Sequence, residues 1–393
     1  MAPKVTKKNK RDINLKVALI EANKSVSSNK NFICSPLGIH FMLSILANGS
    51  TGETRNQIYK YLGSKTLKEI NQKASETLEM IYPTIKGNSK GPVVSFVNGA
   101  WVDLQTTSLK PPFQKLLQGT YKADAKALDF QKKEEVCKEI NLWVSDATQG
   151  TITELLSPQL IGQDTILVLG NALFFKAAWE TPFDACENQS FHLLTGKTIQ
   201  APCMTTRYYE FEFDGGCFDD FRLLRLPYKT AQDTTRQFAM YIFLPNTNDG
   251  LIGLMERFSR DPGFLQANYE LAKACLTDFW IPKFKFSHLF SVKDTLMQLG
   301  LDRMFKRVGE LKKIVNQPFA EQLYVSKMYQ KSFVEVNEEG TLASSAMVCQ
   351  CGGGGPPPNL FSFVADHPFL FTIREEISQV TFFVGTVLNP LLE

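Results

Sequence analysis

The run Phe333-Val-Glu-Val-Asn-Glu-Glu-Gly-Thr341 opens as a strand and then changes character. Its first four residues have the aromatic and β-branched content of a strand. An asparagine, two carboxylates and a glycine follow. From Gly340 to Ser362 no charged residue occurs. This segment starts with small residues, passes through Gly352–Gly355 and Pro356–Pro358, and leads into a second strand-like run. Compact domains rarely carry so long a loop unless it is functional or disordered.

Outward from this loop, the second half of the chain reads as strands: Phe238–Leu244, Phe279–Phe286, Lys331–Val336, Phe369–Ile373 and Val380–Leu388. Thr165–Phe175 is almost continuously apolar, the pattern of a strand buried on both faces. Asn171 interrupts it, and a buried amide needs hydrogen-bond partners. The first half is mainly helical. Ile13, Val17 and Ile20 share a helix face, and Ser35-Pro36 supplies a cap and a first-turn proline. Gly49 and Gly63 suit helix ends. Val136, Ile140, Trp143, Val144 and Ala147 mark an amphipathic helix before Gly150. The class is α+β with large sheets.

The chain has 393 residues and 30 Phe, enough for a large core. No linker or repeat divides it, so residues 1–393 are expected to form a single domain, with a flexible basic N-terminus over 1–12. The 43 basic and 40 acidic residues are mixed along the chain, unlike the basic stripe of a nucleic-acid protein. No stretch is apolar enough to span a membrane, and no apolar leader is visible. The eight cysteines read as small buried hydrophobes or free thiols.

Catalytic motifs fare poorly. Gly87-Asn-Ser-Lys-Gly91 matches a hydrolase nucleophile pattern but lacks the strand before and helix after it. Gly196-Lys-Thr198 reads as a hairpin turn. His40, His192, His288 and His367 are scattered, and Cys349-x-Cys351 alone does not make a tetrahedral metal site. Neither a cofactor nor an enzyme activity is expected.

Phe333–Thr341 closely resembles the strand and proximal hinge of serpins. Asn171-Ala-Leu-Phe-Phe-Lys176, with Trp179, resembles that family's central strand and the tryptophan of the breach just past it. Ser35-Pro36 with Gly49, Gly52 and Thr54 resembles the early helix pair. Ile140-Asn-Leu-Trp-Val144 resembles the helix over the main sheet. Phe363-Val-Ala-Asp-His-Pro-Phe-Leu-Phe371 resembles the C-terminal signature. The runs His192–Gly196, Leu224–Tyr228 and Ala239–Pro245 look like plant serpins in particular.

The resemblance implies a serpin fold of about three sheets with eight or nine helices, and a reactive-centre loop over 340–362. It implies a suicide-substrate inhibitor of a serine or cysteine endopeptidase, acting as a monomer. A protease cuts the loop and forms an acyl-enzyme. The freed segment then inserts into the main sheet of a metastable fold. Under it, Glu338, Glu339, Gly340, Thr341, Leu342, Ala343, Ser344, Ser345 and Ala346 form the hinge. Met347, Val348, Cys349, Gln350, Cys351, Gly352 and Gly353 form the loop proper, and the reactive bond joins Gly354 to Gly355. Thr341, Ala343, Ser345 and Met347 alternate toward the sheet core on insertion. No proline lies between Gly340 and Gly355, so each inserted residue has a donor for the ladder.

Three positions depart from the family pattern. Leu342 stands where the family often has a charged residue, and it is expected to face solvent after insertion at a modest cost. In the polar cluster that governs sheet opening, Gln330 replaces a histidine and Gly38 a hydroxyl residue, beside Ser35 and Asn171. The four bait glycines offer no side chain to a specificity pocket, and no Lys or Arg occurs from Ser332 to Ile373. A basic-specific protease is therefore disfavoured. The alternative is a non-inhibitory serpin acting as a binding or scaffold protein. A cytoplasmic location is expected, with a nuclear or unconventionally exported one as the alternative.

Overall fold

Ser35 caps a helix: its Oγ accepts the Gly38 N–H at 3.1 Å, Pro36 occupies the first turn, and the Ser50 N–H closes the other end on Ala47 O. Gly49 is the last helical residue, and it is glycine because a Cβ there would meet the Ile314 side chain at 2.2 Å. The computed structural model describes residues 5–6, 13–82, 92–183, 185–206, 212–230, 236–341 and 360–393. Its helices are α1 (Ile13–Ser27), α2 (Pro36–Gly49), α3 (Gly52–Leu62), α4 (Leu67–Ile81), α5 (Pro111–Thr120), α6 (Lys133–Ala147), α7 (Leu251–Arg260) and α8 (Lys293–Gln298).

The strands are β1 (Val5–Thr6), β2 (Phe32–Cys34), β3 (Val93–Asp103), β4 (Asp124–Leu128), β5 (Leu167–Ala178), β6 (Ala185–His192), β7 (Thr198–Thr205), β8 (Glu212–Cys217) and β9 (Phe221–Pro227). They continue as β10 (Phe238–Pro245), β11 (Asn268–Tyr269), β12 (Ala272–Pro282), β13 (Phe284–Ser291), β14 (Lys327–Val336), β15 (Gly340–Thr341), β16 (Leu360–Val364), β17 (Phe369–Glu375) and β18 (Val380–Val387).

Three sheets result among the described residues. One runs β13-β14-β5-β3-β4, with β15 added to β5. A second runs β2-β18-β17-β10-β9-β8-β12-β7-β6, with β16 on β12. The third is the pair β1-β11. The expected strand Phe279–Phe286 is in fact two. β12 ends at Pro282 and β13 starts at Phe284, in different sheets. Pro282 has no N–H to extend the ladder, and Lys283 crosses the gap with its N–H on Pro202 O.

β5 carries the core on both faces, as its unbroken apolar run suggests. Leu167, Leu169, Leu173 and Phe175 face the largest hydrophobic cluster, which includes Phe41 and Leu46 of α2. Val168, Ala172 and Phe174 face Val136, Ile140 and Val144 of α6, which covers the other side. Trp143 is only half-buried, its ring edge-on to Trp101 at 5.1 Å. On α1, Leu15, Val17, Ala18, Leu19 and Ala22 are fully buried, so of the expected face Val17 is core while Ile13 and Ile20 are only half-buried. Gly196 turns the β6–β7 hairpin with φ 81°. Of the cysteines, Cys34, Cys137 and Cys203 are buried free thiols, while Cys186 and Cys217 are exposed. The Gly87–Gly91 motif lies outside the described residues.

Candidate functional site

β14 and β5 run parallel, paired from Lys327↔Val168 to Phe333↔Phe174. Beyond this the chain turns through Asn337–Glu339 and comes back. Gly340 and Thr341 then pair antiparallel with Ala178 and Ala177 of the same strand β5. The start of the long uncharged loop is therefore held by backbone pairing just past the end of the β14–β5 seam.

The turn is anchored from several elements. Trp179, 2% exposed, donates its Nε1–H to Asn337 O at 2.9 Å and its backbone N–H to Glu339 O at 3.1 Å. The Phe183 N–H reaches Glu338 O at 2.9 Å, and the Glu339 N–H reaches Asn337 Oδ1 at 3.1 Å. Tyr228 stacks on Trp179 with ring centroids 4.5 Å apart. Lys283 Nζ lies 2.8 Å from the Glu338 carboxylate. Partial burial pushes the Glu338 carboxyl up, but the Lys283 contact and its own backbone amide outweigh this and hold it below the usual range. The Glu338 partner in turn raises the Lys283 pKa.

Ser35, Gly38, Asn171 and Gln330, the residues expected to govern sheet opening, meet in the middle of the seam, where Gln330 and Asn171 are register partners. Gln330 Oε1 accepts the Ser35 N–H at 2.8 Å. Its Nε2 donates to Ser35 O at 2.8 Å and across the seam to Asn171 Oδ1 at 3.2 Å. The Asn171 amide donates to Val97 O at 3.1 Å and to Asn98 Oδ1 at 2.9 Å. Every polar atom of the Gln330 and Asn171 side chains is thus used. The amide tucks against the N-terminus of α2, where Gly38 leaves room for it.

Sequence reasoning placed Ser35, Gly38, Asn171, Gln330, Trp179 and the Glu338–Thr341 turn in these two neighbourhoods. It missed Asn98, Lys283 and Tyr228. Asn98 had a readable signal: an amide inside the apolar run of β3, as Asn171 is in β5, and the two are cross-strand partners. Lys283 had none, since only the jump from β12 to β13 carries it to Glu338. Leu342 to Ala346, Met347 to Gly353, and the Gly354–Gly355 bond lie outside the described residues.

Residues 12–390 match the family model for serpins, described as serine protease inhibitors. The chain belongs to the serpin family. This serpin is 40% identical over 374 residues to Serpin-ZXA of Oryza sativa subsp. japonica, covering 94% of the chain and 93% of the relative. It is 40% identical over 377 residues to Serpin-Z2B of Triticum aestivum, again covering 94% and 93%. Among solved structures, the serpin resembles Arabidopsis AtSerpin1 in its native stressed conformation, with TM-score 0.86, 36% identity and coverage of 97% and 98%. Serpin48 of the insect Tenebrio molitor follows with TM-score 0.80, 26% identity and coverage of 96% and 97%. The α+β architecture is the serpin fold, and its sequence kin are plant serpins of the Z type.

Proposed function

We propose that this serpin inhibits a serine or cysteine endopeptidase as a suicide substrate, with residues 1–393 working as one metastable, monomeric domain in the cytoplasm. The target's oxygen or sulfur nucleophile attacks the carbonyl carbon of Gly354 and expels the amine of Gly355, leaving an acyl bond between protease and loop. The loop N-terminal to the cut then enters the seam between β14 and β5 as a new strand and carries the protease with it. Insertion must outrun attack of water on the acyl bond.

One observation supports this reading above the rest: Gly340 and Thr341 already pair antiparallel with β5. A strand continuing from them runs antiparallel to both β5 and β14. It replaces one parallel pairing with two antiparallel ones, which are slightly more stable per residue, and it adds ladder hydrogen bonds. The test is incubation with a panel of serine and cysteine proteases of small or apolar preference, read on denaturing gels. A covalent band whose mass is the sum of protease and truncated serpin supports trapping. Cleavage of the loop by every active protease with no such band overturns it.

The Gln330 amide favours a second reading, a non-inhibitory binding protein. Its bonds to Ser35 and Asn171 close the seam, and insertion must break the one that crosses it. The same gel separates the two readings.

A further inference from the structure

The turn between β17 and β18 closes over a polar cavity of about 200 Å³, far along β17 from the loop and sharing no residue with the seam. Its walls are Tyr241 of β10, the Ala267–Tyr269 segment, Arg374, Glu375, Glu376 and Gln379.

Arg374 is the odd group in this wall. It is only 5% exposed, and its guanidinium lies over the Tyr241 ring, 3.6 Å from the centroid. Its one hydrogen bond among the described residues is a long one, from Nη1 to Ala267 O at 3.5 Å, and its Nε has no partner there. Burial pulls its pKa below the ordinary arginine value. The neighbouring carboxylates are committed elsewhere. Arg225 grips Glu376 in a two-pronged contact at 2.8 and 2.7 Å and Asp214 at 2.7 Å, and Tyr241 Oη also donates to Glu376. Glu375 accepts the backbone N–H groups of Gln237, Ile377 and Ser378 at 2.8, 3.2 and 2.6 Å. Neither can turn to Arg374 without stranding its present donors. A buried guanidinium with spare donors beside a cavity is a receptor for an external acceptor.

We infer that this cavity binds a small monocarboxylic acid, with its carboxylate received by Arg374. The planar fork of the guanidinium matches a carboxylate or a phosphate alike. Glu375 and Glu376 in the same wall decide between them, because two fixed negative charges oppose a dianion far more than a monoanion. Tyr241 and Tyr269 give the cavity aromatic walls, so benzoate is the apt probe. Asn268, exposed at the rim, adds an amide that can donate to the second carboxylate oxygen.

The experiment is isothermal titration of the full-length protein with sodium benzoate. Saturable one-to-one binding is expected, with Kd on the order of 1 mM or tighter. Sulfate and phosphate should bind at least tenfold more weakly. Arg374→Met, checked for native circular dichroism, should lose at least tenfold in benzoate affinity. Should that variant fail to fold, Gln379→Glu takes its place. It removes the Gln379 amide's bond to Glu376 O and puts a negative charge on the half-buried turn, and with native circular dichroism confirmed it should weaken benzoate by a similar factor. No saturable binding, tighter binding of phosphate or sulfate than of benzoate, or unchanged affinity in the folded variant overturns the assignment.

Discussion

A Cβ at position 38 would stand 2.0 Å from Asn171 Oδ1 and 2.4 Å from Gln330 Nε2, so Gly38 and Gln330 are one change, not two. The Gln330 amide, with the Asn171 amide it holds in place, takes the space that a side chain on α2 would need. Gly38→Ser alone should therefore destabilise the native state by about 1–3 kcal/mol, the usual cost of overpacking. Gln330→His together with Gly38→Ser should recover most of the loss. Urea unfolding of the two single variants and the double gives the coupling, and simple additivity would refute it. From the sequence both departures were legible, but not their mutual compensation, which depends on a contact between residues 292 positions apart (330 − 38). His288 shows a second limit. The sequence marks it only as a scattered histidine. In the structure it packs edge-on to Phe32 at 5.0 Å and beside Phe290 at 5.6 Å, and burial lowers its pKa to about 4. The folded state thus prefers the neutral ring. Its stability is full above the unfolded value near 6.5 and falls as pH drops from there toward 4, by about 2 kcal/mol once its part exposure is allowed for. His288→Phe should flatten that part of the urea-midpoint profile. An unchanged slope between pH 6.5 and 4 would remove His288 as its source.

At the level of elements, the described start of the expected hinge is a turn with backbone anchors on three sides. Trp179, Phe183 and β5 hold the main chain of Asn337–Thr341, while Lys283 holds the Glu338 side chain. Strands and helices of this molecule were largely legible, because their signals are local: the apolar run of β5, the Ser35-Pro36 start of α2, the spacing of Val136, Ile140 and Val144. What sequence could not give was the break between β12 and β13, two strands that meet at Pro282–Phe284 and part into different sheets. β15 was equally hidden, since a two-residue strand has no period to detect. Under the proposed mechanism its pairing marks where insertion would begin: with Thr341 registered on Ala177, every second residue from 341 would enter the core face of the growing strand. Thr341→Arg should therefore block insertion, because an unpaired guanidinium is costly to bury. The variant should still be cleaved at the wild-type rate and should yield no covalent complex. Trapping at the wild-type ratio would show that the register is wrong.

For the whole molecule, the seam between β14 and β5 sets the energetics of the proposed mechanism. It is sealed by parallel pairing from Lys327 to Phe333, by the Phe174 and Phe333 rings 6.2 Å apart, and by the Gln330–Asn171 contact. Opening it costs those interactions, and under the proposed mechanism a complete new strand between β14 and β5 returns more. Nicking the loop between Gly352 and Gly355 should accordingly raise the melting temperature sharply. Equal melting of intact and nicked protein would mean that the loop stays out. The bait and the scaffold can then be separated. Gly354 offers no side chain to a specificity pocket, whereas arginine there pairs two-pronged with the carboxylate of a trypsin-like enzyme. Gly354→Arg should convert a poor ligand into a trypsin trap, seen as a covalent band. Fast cleavage without that band would place the fault in the seam rather than the bait. The remedy is then the paired exchange Gly38→Ser with Gln330→His, made together because either alone overfills the pocket at α2 or leaves it short. If trypsin still passes through the doubly corrected Gly354→Arg protein as a substrate, the seam is not built to open, and the binding-protein reading stands in place of the inhibitor.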